Sequence, residues 1–307
     1  MHRLAPLSPR VVALSWGAAL LVWPLVWLLL AVAQGAGTAI AGGGWIGVSV
    51  PLGAHPWGLV NEPSVAFAIS RAALFLYWLA PPLLALVVAV LAPTVLPVPP
   101  GWLAEVVVFQ LAAGSAVLGL GWAARLGAAD GPAAGLERFW AVSPALFESV
   151  SALLGAIAVQ PAVARLASHL WGEPGGPRRG RRLLTVAVHL FPPALVWLGA
   201  TVALGWAIPP AALLGGAAVL AGALFAGWHW MPHSPLHPRP ELTVRRVVAV
   251  LGVGLLVFGA AVWAGAPRRG HGVALVWGVP GMTNNVRTGM AVVRLTPPPA
   301  PKKPPAR

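Results

Sequence analysis

The sequence predicts an all-α fold: a polytopic helical membrane protein with six or seven transmembrane spans and a small β-hairpin-like C-terminal tail. Hydrophobic residues make up 58% and charged residues only 9% of the 307 residues, whereas a soluble domain has roughly 25% charged residues. The mean hydropathy is +0.80, and apolar runs of about 20 residues, the length that crosses a bilayer, recur along the chain. An ordinary water-soluble domain is therefore excluded, and so is a disordered chain, because there is ample apolar surface to bury.

The charge balance indicates membrane topology rather than nucleic-acid binding. The chain has 20 Lys and Arg residues against 7 Asp and Glu residues, a net charge of +13. The basic residues lie in short clusters between apolar segments, with no interleaved aromatic residues that would stack on bases. We therefore expect cationic loops on the cytoplasmic side of a bilayer and no nucleic-acid partner. The absence of cysteine excludes disulfides, thiolate nucleophiles and cysteine-ligated metals.

The first two spans are predicted at 11–33 and 64–92, separated by a Gly- and Pro-rich loop. The first run is longer than the core of about 7–15 residues in a signal peptide, so we expect a retained anchor, although residues 31–33 also fit a cleavage site. The second run contains Arg71 and the pair Pro81-Pro82. Its length exceeds that of a hydrocarbon core about 30 Å thick, which predicts a tilted or broken helix.

Five further apolar runs complete the predicted helical domain, which covers residues 1–265. A kink is expected at Pro161 in the second of these five runs. The runs are 103–124, 147–170, 183–207, 211–230 and 244–264.

Residues 266–307 form a polar tail whose Pro- and Lys-rich end we expect to be disordered. Within it, 273–279 and 290–295 are two β-prone runs around a turn, which predicts a hairpin. That hairpin is interpreted either as a docking element, for a partner or for the outer loop at 40–52, or as a locally ordered tail.

The distribution of arginine in the loops predicts the orientation. Nine arginines lie in the N-terminus and the loops of one side, against two in the loops of the other. This places the N-terminus in the cytoplasm, in a bacterial-type inner membrane. The seven Lys and Arg residues of the tail then fall outside, a conflict that a miscounted span at 64–92 would remove. The nine are Arg3, Arg10, Arg178, Arg179, Arg181, Arg182, Arg239, Arg245 and Arg246; the two are Arg125 and Arg138.

Ionisable residues inside the predicted spans are the best candidates for a site, because burying each one in hydrocarbon costs about 2.5–3.5 kcal/mol or more. Glu105, Arg165, His169 and His189 are expected to converge near the cytoplasmic face. The cluster is interpreted as a polar pocket or proton-handling site, or as a structural Glu105–Arg165 pair with histidines that cap the backbone or face headgroups. Near the outer side, Arg71 is positioned to pair with Glu148 or with Glu62 in the preceding loop.

Three histidines near the end of the sixth span form a candidate metal site. The spacing of His229, His233 and His237 would stack three imidazoles on one helix face, an arrangement suited to zinc, copper or nickel. Prolines between them interrupt that helix, so the expected form is a looped three-histidine site for a divalent transition metal, with Glu241 as a fourth ligand. The alternative interpretation is a solvated interfacial loop beside an aromatic belt.

Two short segments partly resemble the intramembrane site-2-type metalloproteases, which carry HExxH on one span and later Pro-x-Pro and Asp-Gly. The segments are Asn61-Glu62-Pro63-Ser64-Val65 and Thr94-Val95-Leu96-Pro97-Val98-Pro99-Pro100. The first lacks both zinc-binding histidines, and the second is followed by Gly101-Trp102 instead of Asp-Gly. The resemblance therefore implies at most a metal-free relic of such an enzyme.

The sequence assigns no catalytic residue, and two main function classes remain. The first is a non-catalytic accessory, assembly or scaffolding component that has the lipid bilayer and a membrane protein as partners. The second is a transporter or channel for a small solute or ion, built on the cytoplasmic polar cluster. A membrane-embedded, metal-dependent enzyme is the third.

Overall fold

The structure, a computed structural model, shows a bundle of membrane-length helices. Seven spans in the described part of the chain are long and apolar enough to cross a membrane, in agreement with the predicted helical membrane class. This composition indicates a lipid bilayer as the surroundings of the bundle. The described residues are 7–40, 45–49, 58–60, 71–95, 102–123, 136–137, 140–170, 179–203, 210–229, 242–264, 272–276 and 289–293.

The first two helices are continuous through their prolines. Helix α1 (Pro9–Ile40) includes Pro24 and extends past residue 33, where the span was predicted to end. Helix α2 (Arg71–Val95) passes through Pro81 and Pro82 without a break. Residues 61–70, where the second span was predicted to start, lie outside the described residues.

The third and fourth spans each combine two helical segments. In the third, α3 (Trp102–Gly114) continues directly into a π-helical segment (Ser115–Ala123) of nine residues. In the fourth, α4 (Pro144–Ala158) and α5 (Gln160–Leu170) meet at Val159, two residues before Pro161. The break therefore lies close to the kink expected at Pro161.

The last three spans are single helices: α6 (Arg179–Ala203), α7 (Pro210–His229) and α8 (Val244–Ala264). Helix α6 begins four residues before the predicted start at 183. Three arginines assigned to a loop by sequence therefore lie in its first turn: Arg179, Arg181 and Arg182.

Spans that follow one another in the sequence run in alternating directions. Gly37 of α1 packs on Leu76 of α2, and Leu30 with Ala85 packs on Gly119, so α1 and α2 are antiparallel. Contacts between the other spans fix their relative directions in the same way. The contacting pairs are Trp23–Gly114, Ser151–Leu120, Glu105–Arg165, Trp16–Val188, Trp27–Trp197, Gly121–Gly215, Gly222–Ala156 and Gly17–Leu251.

Alternation gives the bundle two ends, which we name the basic end and the sheet end. The basic end holds Pro9, Val95, Trp102, Leu170, Arg179, His229 and Val244; the sheet end holds Ile40, Arg71, Ala123, Pro144, Ala203, Pro210 and Ala264.

A four-stranded antiparallel sheet joins the segment after α1 to the segment after α8. Its strands are β1 (Trp45–Ser49), β2 (Gly58–Val60), β3 (Gly272–Val276) and β4 (Gly289–Val293), in the order β2-β1-β3-β4. Gly47 of β1 lies opposite Val276 of β3. Residues 277–288, which link β3 to β4, lie outside the described residues, so the predicted hairpin stays a prediction.

The third span forms the centre of the bundle and α8 lies at its edge. Among the described spans, 78% of the apolar stretch of the third span is buried inside the protein, but only 11% of that of α8. Three fully buried tryptophans, Trp23, Trp27 and Trp197, pack together at ring-centroid distances of 6.4 and 5.8 Å from Trp197. Phe258 of α8 packs on Trp197 from outside, at 6.0 Å. The interior between these helices is closely packed and largely aromatic and aliphatic.

Candidate functional site

The structure brings two members of the predicted polar cluster into contact, Glu105 and Arg165. Arg165 donates from Nε to Glu105 Oε2 at 2.9 Å and from Nη2 to Glu105 Oε1 at 3.3 Å. Both carboxylate oxygens therefore accept from one guanidinium, the planar two-point geometry that makes arginine pairs strong and directional. The side chain of Arg165 is 17% exposed and that of Glu105 is 9% exposed, so the pair is largely shielded from solvent.

Arg165 holds a third group, the carbonyl oxygen of Pro93 near the end of α2. The distance from Nη1 to this oxygen is 2.7 Å. Pro93 lies in the last turn of α2, which ends at Val95, and the last four carbonyls of a helix have no amide donor within it. One arginine on α5 thus joins the second, third and fourth spans at the basic end.

The position of Glu105 on its helix also stabilises the pair. It is an acidic residue in the first turn of α3, where the partial positive charge of a helix N-terminus favours a carboxylate. His169 lies one helical turn after Arg165 on α5, but its side chain is outside what the structure describes. The expected contribution of His169 to the cluster stays a prediction.

His189 lies deeper, beside a polar residue that the sequence analysis missed. Its side chain is completely buried in α6, and its carbonyl oxygen accepts from Gln110 Nε2 at 3.0 Å. Gln110 is five residues after Glu105 on α3, about 7.5 Å further along the helix axis. The convergence of His189 with the Glu105–Arg165 pair stays a prediction.

Gln110 is the central hydrogen-bonding side chain of the interior. It is fully buried, donates to Ser15 Oγ at 2.9 Å and accepts from Trp23 Nε1 at 3.1 Å. With the bond to His189, this single amide ties α3 to α1 and α6. The only sequence signal was a lone amide in an apolar run.

The pair Pro192-Pro193 explains where these bonds form on α6. The two prolines lack the amide hydrogens that would bond the carbonyls of Val188 and His189, four residues earlier. Trp16 of α1 donates from Nε1 to the Val188 oxygen at 2.8 Å, and Gln110 donates to that of His189. Side chains of neighbouring helices thus satisfy both carbonyls.

The predicted outer pair lies at the sheet end. Arg71 is the first residue of α2, and its side chain is outside what the structure describes. Glu148 is half-buried in the second turn of α4. The two helices start at the same end of the bundle, and the pairing itself stays a prediction.

The predicted metal set is only partly covered by the structure. His229, at the end of α7, has Nδ1 3.0 Å from the carbonyl oxygen of Phe225, and the two rings are 4.0 Å apart. His233 and His237 lie outside the described residues. Among the residues that are described, no three His, Asp or Glu side chains are grouped so that they would hold a metal ion.

Comparison with known proteins gives no family to guide the assignment. No protein-family model, no curated protein and no solved structure matches the chain. Inference about function therefore rests on the membrane-length helices and on the contacts inside the bundle.

Proposed function

We propose that this protein is a non-catalytic accessory, assembly or scaffolding component of a bacterial-type cytoplasmic membrane. The observation that carries the proposal is the use of the interior polar groups. Glu105 bonds Arg165 through both of its oxygens, and Arg165 and Gln110 reach backbone carbonyls of other spans. These groups join helices to one another, which is the role expected of polar residues in a structural bundle.

A transporter would require a different arrangement of the same residues. Its coupling groups must face a water-reachable cavity and exchange partners during transport, as at the broken helices of known transporter folds. Here the carbonyls exposed by Pro192 and Pro193 already accept from Trp16 and Gln110. This supports a closed interior and the accessory role.

The contact with a partner is proposed to lie at the sheet end. With the N-terminus in the cytoplasm, the sheet end faces the opposite side of the membrane, and the proposed hairpin of the tail lies there. Antiparallel pairing of β3 with β1 supports the interpretation of the tail as a docking element for the outer loop. The resulting sheet gives a partner a surface outside the lipid.

The test compares the full chain with a variant that ends at residue 265 and therefore lacks β3 and β4. Both are expressed with the same affinity tag, extracted in mild detergent, and checked for equal thermal stability. We expect the full chain to retain a second membrane protein in a defined stoichiometry by native mass spectrometry, and the shortened variant to lose it.

Two results would contradict the proposal. One is a full chain that stays monomeric and retains no other protein. The other is solute or proton flux in proteoliposomes of the purified chain that is abolished by Glu105→Gln, which would favour the transporter class. The control variant in the flux measurement is Trp197→Phe, since it leaves the polar groups in place. Gln110→Glu is not suitable, because it introduces a charge.

A further inference from the structure

We propose that four exposed arginines at the basic end bind the phosphates of anionic phospholipids. We name this surface the basic rim and define it as Arg10, Arg179, Arg245 and Arg246, all of which are exposed. The inference is independent of the accessory role, because it requires only that the bundle spans a membrane.

The basic rim comes from the first turns of three parallel helices. Arg10 belongs to α1, Arg179 to α6, and the other two to α8; α1 contacts both α6 and α8. Trp197 of α6 touches Phe258 of α8, and these residues lie 18 and 14 positions after the first residues of their helices. At about 1.5 Å per residue, the two helices start within roughly 6 Å of the same height.

The charge of the basic rim is not neutralised by the described part of the protein. None of its four arginines forms an ion pair with a described acidic residue, and the first turns of α1, α6 and α8 contain no acidic residue. A helix N-terminus already carries partial positive charge, so arginines there raise the electrostatic energy unless an anion lies nearby. The surface is therefore complementary to a negatively charged partner.

The height of the basic rim identifies that partner as lipid. The guanidinium of Arg179 lies 5.2 Å from the ring centroid of Trp228, and Trp228 is 39% exposed at the end of an apolar span. An exposed tryptophan at the end of a span lies at headgroup level. The arginines beside it are thus at the depth of lipid phosphates, which guanidinium groups bind through two hydrogen bonds.

The test is a lipid titration of the full chain, purified in a nonionic detergent, followed by native mass spectrometry. The probes are phosphatidylglycerol and phosphatidylcholine with identical acyl chains. We expect tighter binding of phosphatidylglycerol, and a loss of about 100-fold in its affinity in the variant Arg179→Gln/Arg245→Gln/Arg246→Gln, since each arginine near a membrane surface contributes roughly fivefold. Phosphatidylcholine binding should not change.

The control is Arg125→Gln/Arg138→Gln, which removes two charges from the sequence between Ala123 and Pro144, the residues that flank it at the sheet end. We expect this variant to keep the preference for phosphatidylglycerol. Equal affinity for the two lipids, or a triple variant that keeps the preference, would overturn the proposal. So would displacement of phosphatidylglycerol by inorganic phosphate at a similar concentration, because the surface would then be a general anion site.

A salt series on the unmodified chain keeps the test decisive if the triple variant does not fold. Binding through exposed charges is screened by salt, so the affinity for phosphatidylglycerol should fall as sodium chloride is raised while that for phosphatidylcholine stays constant. A preference for phosphatidylglycerol that does not respond to salt would contradict the assignment to the basic rim.

Discussion

At the scale of single residues, a proline inside a membrane-spanning helix leaves the carbonyl four positions earlier without its amide donor, and lipid offers no replacement. Two such carbonyls in the described part of the chain, on Val188 and His189, accept hydrogen bonds from side chains of other spans. The donors are Trp16 and Gln110. The prolines thus specify contacts between helices that apolar packing alone would leave open.

Two buried tryptophans give a matched test of what one such side-chain bond contributes. Trp23 and Trp197 are both fully buried, and Trp23 Nε1 donates to Gln110 at 3.1 Å. Within the described part of the chain, Trp197 Nε1 has no hydrogen-bond partner. We expect Trp23→Phe to lower the free energy of unfolding by about 1 kcal/mol more than Trp197→Phe, the scale of a side-chain hydrogen bond between membrane helices.

The measurement is the unfolding of both variants and the unmodified chain in the same detergent. Each substitution removes the same atoms, so the loss of ring contacts is similar in the two cases. Equal losses of stability would mean that the bond to Gln110 makes no net contribution.

At the scale of helices, apolar length predicts where the spans lie but not where every helix ends. Helix α1 continues to Ile40 through a Gly-rich stretch. That stretch was predicted to be a loop, because glycine on its own disfavours a helix. There Gly37 lets α2 approach closely, since an added Cβ would lie 2.8 Å from the Cβ of Ala80. Helix α6 begins at Arg179, a charged residue that favours helix and reaches water from its end.

The site was predictable only where charge carried the signal. Glu105 and Arg165 are ionisable, so both were candidates from sequence, and the structure places them in contact. Gln110 is neutral, and its partners are a tryptophan, a serine and a backbone carbonyl, none of which makes a recognisable pattern. In lipid, helices have no hydrophobic preference for one neighbour over another, so sequence alone does not show which spans meet at Gln110.

Two glycines on α8 test its close crossing with α1. Gly254 faces α1 so closely that an added Cβ would clash with the carbonyl oxygen of Gly17, whereas Gly252 has nothing within 4 Å of that position. We expect Gly254→Val to destabilise the bundle by about 1–3 kcal/mol, the usual result of overpacking. Gly252→Val should leave stability unchanged or raise it slightly, because valine favours a helix more than glycine does.

Thermal unfolding in detergent compares the two variants directly. Since both place the same side chain on the same helix, a difference between them reports the contact with α1 and not helix propensity. Similar melting temperatures for the two variants would mean that α8 is not held at this crossing.

At the scale of the whole molecule, alternating directions and seven spans place the two ends of the helical bundle on opposite sides of the membrane. Strand β1 follows α1 and strand β3 follows α8, and the two strands pair. Their pairing requires that α1 and α8 end on the same side, which an odd number of crossings satisfies. The structure thus keeps the second span and places the basic tail on the side opposite the N-terminus.

The basic tail is less of an obstacle to the expected orientation than its total charge suggests. Lys and Arg residues influence topology chiefly within about 15–20 residues of a span, and α8 ends at Ala264. Of the seven basic residues in the tail, only Arg268 and Arg269 fall inside that distance. The nine arginines assigned by sequence to the N-terminal side therefore still outnumber those near the sheet end.

We expect the basic end to face the cytoplasm, and the chain is well suited to a direct test because it contains no cysteine. Single substitutions Ser143→Cys at the sheet end and Thr243→Cys at the basic end each place one thiol at an exposed position. A membrane-impermeant maleimide should label the first in intact cells and the second only after the membrane is opened. The reverse pattern would place the sheet in the cytoplasm, and labelling of both in intact cells would contradict a membrane-spanning bundle whose two ends lie on opposite sides.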